Sequence, residues 1–119
     1  MSPEVMKKRT KAFALGVVCL VNSLPDTPMC RVVGRQLLRC GCSVGANYRS
    51  AARAKSRKDF IAKMSIVEEE ADESAYWMEL LEGAVTAKDE RVVQLKKEAN
   101  ELVAIAVASC RTAKAHKRS

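Results

Sequence analysis

The sequence predicts an all-α domain, an antiparallel up-down-up-down bundle of four helices. Three observations carry that expectation. The chain holds only 3 Pro and 5 Gly in 119 residues, and it is rich in the strong helix formers Ala, Leu, Glu, Lys and Arg. Apolar residues recur at steps of three and four, and no stretch alternates as a strand would. The breaks between periodic stretches are short, so consecutive helices must turn back as antiparallel neighbours. The length suits one domain, residues 1–119, and a composition of 48% apolar and 29% charged residues can build a core.

The first helix is expected over residues 4–23, with Phe13, Val17, Leu20, Val21 and Leu24 on one side. Pro25-Asp26-Thr27-Pro28 ends it, because proline lacks the N–H of the helical ladder and disfavours helix in the residue before it. The second helix spans 29–54 and turns Val33, Leu37, Cys40 and Val44 inward; Gly34, Gly41 and Gly45 suit close packing against a neighbour. Ser56-Arg57-Lys58-Asp59 reads as a start signal, a Ser cap with an acid three residues on. The third helix, 57–82, carries a coiled-coil-like seam of Phe60, Met64, Val67, Ala71, Ser74, Met78 and Leu81, and Gly83 is expected to stop it. The fourth, 87–112, has Val92, Leu95, Ala99, Leu102, Ala106 and Cys110 as its inner stripe, and residues 113–119 form a basic tail. Val93, Val103, Ile105 and Val107 widen the apolar surface of this helix, which predicts a second buried face at a subunit contact. Leu15, Val18 and Cys19 give the first helix the same look.

The charge is lopsided. Lys and Arg number 21 against 14 Asp and Glu, a formal net charge of +7. Four bases lie at Lys7, Lys8, Arg9 and Lys11, six at Arg49, Arg53, Lys55, Arg57, Lys58 and Lys63, and four at Arg111, Lys114, Lys117 and Arg118. In an up-down-up-down bundle these are the start of helix 1, the corner between helices 2 and 3 and the end of helix 4, all at one pole. A pole so basic, with only Glu4 and Asp59 near it in sequence, points to an anionic partner such as RNA or DNA. Aromatic residues make up only 4%, a poor supply for stacking single strands, although Tyr48 sits among the arginines where it could meet a base. Tyr76 and Trp77 flank the seam residue Met78 and suit core or subunit packing.

Catalytic chemistry finds few candidates. The only histidine is His116, so neither a Ser/His/Asp nor a Cys/His set assembles, and a carboxylate-bridged metal centre lacks its Glu-x-x-His pairs. No phosphate-cradling Gly-rich loop occurs. The acids Glu68, Glu69, Glu70, Asp72, Glu73, Glu79 and Glu82 read as a solvated face, with one or two answering Arg35 and Arg39 across the bundle. Cys19, Cys30, Cys40, Cys42 and Cys110 form no framework of pairs, and Cys40 and Cys42, two apart, point to different helix faces. No enzyme activity, metal or cofactor is expected. Lys7-Lys8-Arg9 before the apolar run 12–21 looks like a leader, but no small-x-small cleavage site precedes Pro25 and the run is too short to span a membrane. The expectation is a buried first helix, no membrane partner and a cytoplasmic protein.

The stretch Ser43-Val44-Gly45-Ala46-Asn47-Tyr48-Arg49-Ser50-Ala51, then Arg53-Ala54-Lys55-Ser56 and Asp59-Phe60, resembles the four-helix bundle proteins encoded in intervening sequences of bacterial 23S ribosomal RNA genes. Ile66 to Glu73, Tyr76 to Leu81 and Glu98-Ala99-Asn100-Glu101-Leu102 fit the same family, and the likeness runs from about Lys11 to Lys114. Many relatives carry Pro where this chain has Gly45, which implies a softer bend here. The resemblance implies a left-handed antiparallel bundle that assembles into a ring, commonly a homopentamer, with no established enzymatic activity. A related branch, the accessory variability determinant protein of diversity-generating retroelements, associates with a reverse transcriptase and nucleic acid. By motif, Gln36, Arg39, Ser43, Asn47 and Glu73 match recurring polar positions and are expected to form a network inside the bundle or at the subunit seam.

Two functions follow as expectations. In the first, the basic pole grips nucleic-acid backbone through Arg49, Arg53, Lys55, Arg57 and Lys58, with Lys7, Lys8, Arg9, Arg111 and Lys114 alongside. In the second, the oligomer is a scaffold or accessory subunit for a partner enzyme such as a reverse transcriptase, and its charge only keeps it soluble.

Overall fold

The computed structural model describes residues 2–84 and 88–116. It contains four helices: α1 (Pro3–Asn22), α2 (Pro28–Ala52), α3 (Arg57–Ala84) and α4 (Glu90–His116). No strand occurs among the described residues.

Side chains set the helix starts. Ser2 Oγ accepts from the Val5 amide at 3.2 Å, and Thr27 Oγ1 accepts from the Cys30 amide at 3.1 Å. Each cap stands before a proline in the first turn, where the missing N–H costs nothing. Ser56 Oγ accepts from the Asp59 amide at 3.0 Å. The Asp59 carboxylate reaches back one residue further than a capping box would, to the Lys55 amide at 3.2 Å. That hydrogen bond is the main reason the Asp59 carboxyl titrates below its usual range; Lys63 adds to it.

Contacts along the helices fix their directions. Thr10 lies against Gly45, Val17 against Gly41 and Val21 against Gly34, so α1 and α2 run antiparallel. Cys110 approaches the Ile61 carbonyl while Lys96 pairs with Glu82, so α3 and α4 do the same. Each helix packs on the next in sequence, and α4 also touches α1. The α1–α4 contact is the slightest of the four, and Leu95 reaches across it toward Gly16.

The core follows the predicted stripes. Phe13, Val17 and Leu20 from α1, Val33, Leu37, Cys40 and Val44 from α2, and Met64, Val67, Ala71, Met78 and Leu81 from α3 are buried. So are Val92, Ala99, Leu102, Ala106 and Cys110 from α4. Phe60 and Leu95 pack at the edge. The α1 stripe extends one turn further back than expected, through Thr10 and Met6. Thr10 is hidden at 1% exposure because its hydroxyl donates to the Met6 carbonyl at 2.9 Å, which removes the penalty of burying it. Ser74 uses the same device, donating to the Glu70 carbonyl at 2.8 Å.

Some boundaries differ from the sequence reading. Gly83 does not stop α3; it lies inside the last turn with an ordinary negative φ, and Ala84 follows it in the helix. The expected start of α4 at Ala87 lies outside the described residues; Asp89 accepts from the Arg91 amide at 2.9 Å, just before α4 begins at Glu90. The basic tail is helical as far as His116, because Ala113, Lys114 and Ala115 all favour helix. Lys117 and Arg118 lie outside the described residues. The widened apolar surface of α4 is only half-exposed, since Val103 and Ile105 close the edges of the core. The most exposed large apolar side chains are instead Val5 and Leu15 on α1, Val32 on α2 and Ile66, Tyr76 and Leu80 on α3.

Candidate nucleic-acid interface

One open cleft shows which helix ends meet. Its lining includes Pro3 and Met6 from the start of α1, Tyr48 from the end of α2, Arg57 and Phe60 from the start of α3, and Thr112 and His116 from the end of α4. The three basic segments therefore share one pole. Antiparallel packing alone produces this, by placing the first turns of α1 and α3 beside the last turns of α2 and α4.

Most of the predicted bases stand free there. Lys8, Arg49, Arg53, Lys55, Arg57, Lys58, Arg111 and Lys114 are exposed, and none forms an ion pair among the described residues. Lys7 has only a loose pair with Glu4, at 3.6 Å. Lys63 is drawn to Asp59 at 3.2 Å.

Arg9 is placed differently. Its Nε and Nη2 donate to the two oxygens of Glu98 at 2.7 and 2.6 Å, and Nη2 also donates to Glu101 at 2.7 Å. The guanidinium is committed to the α1–α4 seam and faces two carboxylates, so it offers no net charge to a phosphate. The hydrogen bond to Glu98 raises the Arg9 pKa, and the same contact lowers that of Glu98. A signal was present in the sequence: Glu98 and Glu101 are three apart on α4, so they share a face.

Tyr48 is also not where a base could stack. Its ring is 7% exposed and belongs to the core, and burial is the main reason its phenol pKa is raised. It falls four residues after Val44 on the inner stripe, which outweighs its arginine neighbours.

The expected polar network divides in two. Arg39 donates to Gln36 at 3.2 Å, to Glu70 at 3.4 Å and to Glu73. Glu73 in turn accepts from the Trp77 indole at 2.9 Å. Asn47 instead turns back on α2, donating to the Ser43 carbonyl and hydroxyl at 2.9 and 2.8 Å. Neither group lies in the core; both sit on the flank of α2, the first bridging to α3. Glu70 and Trp77 were not among the predicted members, although both lie within four residues of Glu73. Beneath this bridge Ser74 Oγ is 3.3 Å from Cys40 Sγ, and burial pushes the Cys40 thiol pKa up. Among the described residues no acid pairs with Arg35, and no group of three or more His, Cys, Asp or Glu is placed to hold a metal ion.

Comparison with known proteins points one way. The family model described as 23S rRNA-intervening sequence protein matches residues 4–108. A crystal structure from Bacteroides thetaiotaomicron, described as a protein of unknown function from the S23 ribosomal protein family, superposes with a TM-score of 0.81. It is 32% identical, and the match covers 93% of this chain and 99% of that one. No functionally curated protein matches. Among the described residues, no helix is long and apolar enough to cross a membrane.

Proposed function

The chain belongs to the family of 23S rRNA-intervening sequence proteins, and within that family we propose that it is a non-enzymatic bundle that binds the backbone of RNA or DNA through its basic pole. One observation carries this reading. Four helix ends meet at one pole, and eight bases there (Lys8, Arg49, Arg53, Lys55, Arg57, Lys58, Arg111 and Lys114) are exposed without an ion pair among the described residues, while only Glu4 and Asp59 pair with the pole's lysines. Such a concentration costs stability through self-repulsion, and phosphate oxygens relieve it. Tyr48 is buried and Phe60 packs against the edge of the core, so among the described residues no exposed Phe, Tyr or Trp stands among these bases, and recognition rests on charge and shape rather than base identity.

The bundle is left-handed and assembles into a ring of identical subunits, a homopentamer by resemblance to its relatives, working in the cytoplasm. Exposed Leu15, Val32, Ile66, Tyr76 and Leu80 supply apolar surface for that assembly. In a ring the poles face one way and their fields add. The same exposed residues favour a second reading, a scaffold that docks a partner enzyme such as a reverse transcriptase without touching nucleic acid.

The test is a fluorescence-anisotropy titration with a structured RNA and a duplex DNA at ~50 and ~200 mM salt, with the assembled mass checked by light scattering. Binding that weakens about ten-fold or more between those salts, and disappears in the Arg49→Glu, Arg53→Glu, Arg57→Glu triple variant while mass and helicity persist, is the expected result. No binding at the lower salt overturns the reading and leaves the scaffold.

A further inference from the structure

The bases of the pole do not form one surface. Arg53, Lys55, Arg57 and Lys58 crowd the corner between α2 and α3. A second group lines a groove of about 420 Å³ on the flank, between α1 and α2. Its walls are Lys7, Lys8 and Lys11 from α1 and Arg49 from α2, and its floor holds Ala14, Gly45 and Ala46.

Helical spacing builds this groove. Lys7, Lys11 and Ala14 step by four and three along α1, and Cys42, Gly45 or Ala46 and Arg49 do so along α2. The helices approach closely in the middle: a Cβ on Gly45 would stand 3.5 Å from the Thr10 backbone. Small residues thus make a shallow floor with cations above it. The lining runs from Lys7 to Ala14 on α1 and from Cys42 to Arg49 on α2, seven steps or ~10 Å of helix each, the axial rise of about three phosphates along one strand of a duplex.

The charge in this groove is uncompensated. Lys7 and Lys11, and Lys8 and Lys11, are like-charge neighbours on one helix, which destabilises it. Only Glu4 answers, at 3.6 Å from Lys7. One residue away, on the other side of α1, Arg9 receives two carboxylates. The fold therefore neutralises the α1–α4 seam and leaves the α1–α2 groove bare. The floor has no aromatic or large apolar side chain to hold a base or an apolar anchor.

We infer that the α1/α2 groove seats the sugar–phosphate backbone of one nucleic-acid strand, with Lys7, Lys8, Lys11 and Arg49 on its phosphates, while the α2–α3 corner contributes only long-range attraction. This rests on the proposed nucleic-acid function and assigns its contact surface. Lys11 thereby becomes a binding residue, and Ala46 a position where bulk or negative charge blocks the track.

The experiment separates this assignment from the broader reading. Ala46→Glu places a carboxylate at an exposed helical position, removes no cation and leaves the core untouched; Ala46→Gln controls for size. Affinity for a labelled duplex DNA should fall about ten-fold or more in Ala46→Glu and stay within about three-fold of wild type in Ala46→Gln. The Lys8→Ala/Lys11→Ala pair should lower the slope of log affinity against log salt by about two. In a Cys19→Ser background, the exposed Cys42 thiol at the groove should react more slowly with a maleimide once DNA is bound. If wild type binds but Ala46→Glu binds equally well and Cys42 stays unprotected, the groove assignment is overturned and the basic-pole function survives. If wild type does not bind, the function itself has failed.

Discussion

Val17 and Gly41 meet so closely that a Cβ built on the glycine would lie 3.0 Å from both Val17 methyl carbons. Val17 is wholly buried and, being β-branched, has one favoured rotamer in a helix, so it cannot swing aside. Gly41→Ala should therefore destabilise the bundle by ~1–2 kcal/mol, the overpacking strain exceeding the ~1 kcal/mol that alanine gains as a helix former. Gly45→Ala meets its nearest neighbour at 3.5 Å, an ordinary contact, and should stabilise by ~0.5–1 kcal/mol. Urea denaturation of both variants checks the opposite signs, and equal shifts in one direction would refute the packing argument.

Arg9 and Glu98 make the α1–α4 seam sensitive to acid. Hydrogen bonding to Arg9 lowers the Glu98 pKa in the folded state relative to the unfolded chain. The pair's contribution is thus fully present above the unfolded carboxyl value of ~4.3 and is lost as pH falls through the lower folded value. Both side chains are about a quarter exposed, 24% and 26%, which places the contribution between a surface and a buried pair, ~1–2 kcal/mol. Glu98→Gln should lose about that much at pH 7, and its gap to wild type should shrink as pH falls below ~4.3. Thermal melts across that range read the difference; a constant gap between the two proteins would rule out the linkage.

Glu73 holds the indole of Trp77 and the guanidinium of Arg39 together. Trp77 is the chain's only tryptophan, so its emission can be followed with no second indole contributing. Glu73→Ala should shift that emission while changing stability by less than ~1 kcal/mol, since Arg39 is half-exposed. Arg39→Ala should leave the indole bond, and most of the emission, in place. Identical spectra for wild type and Glu73→Ala would show that the bond is not formed in solution.

Ser56 supplies the side-chain cap of α3. Ser56→Ala should cost ~1 kcal/mol and Ser56→Asp close to nothing. Hydrogen exchange should show the loss first in the amide of Asp59. Equal exchange in wild type and Ser56→Ala would mean that the cap adds nothing.

Much of this architecture can be read along the chain. The α3 seam from Met64 to Leu81 and the α4 stripe from Val92 to Cys110 follow from spacing, because a helix turns every third or fourth residue to the same side. Cys40 buried and Cys42 exposed follow from the same geometry. Spacing was less informative where polar and apolar chemistry mix. Thr10 continues the α1 stripe but does not look apolar, and Tyr48 lies on the α2 stripe yet is surrounded in sequence by arginines.

By itself, then, the sequence determined four helices, their inner faces, their short corners and the gathering of basic segments at one pole. These depend on local propensity, caps and periodicity, which act within a few residues. Only the tertiary structure decided which charges remain available. Arg9 and Lys8 are neighbours in the chain, but α1 turns one toward Glu98 and Glu101 and leaves the other exposed. Periodicity gives the face a residue occupies. The rotation and axial register of the opposing helix decide what that face meets, and both are set by packing details such as Val17 against Gly41 and Thr10 against Gly45.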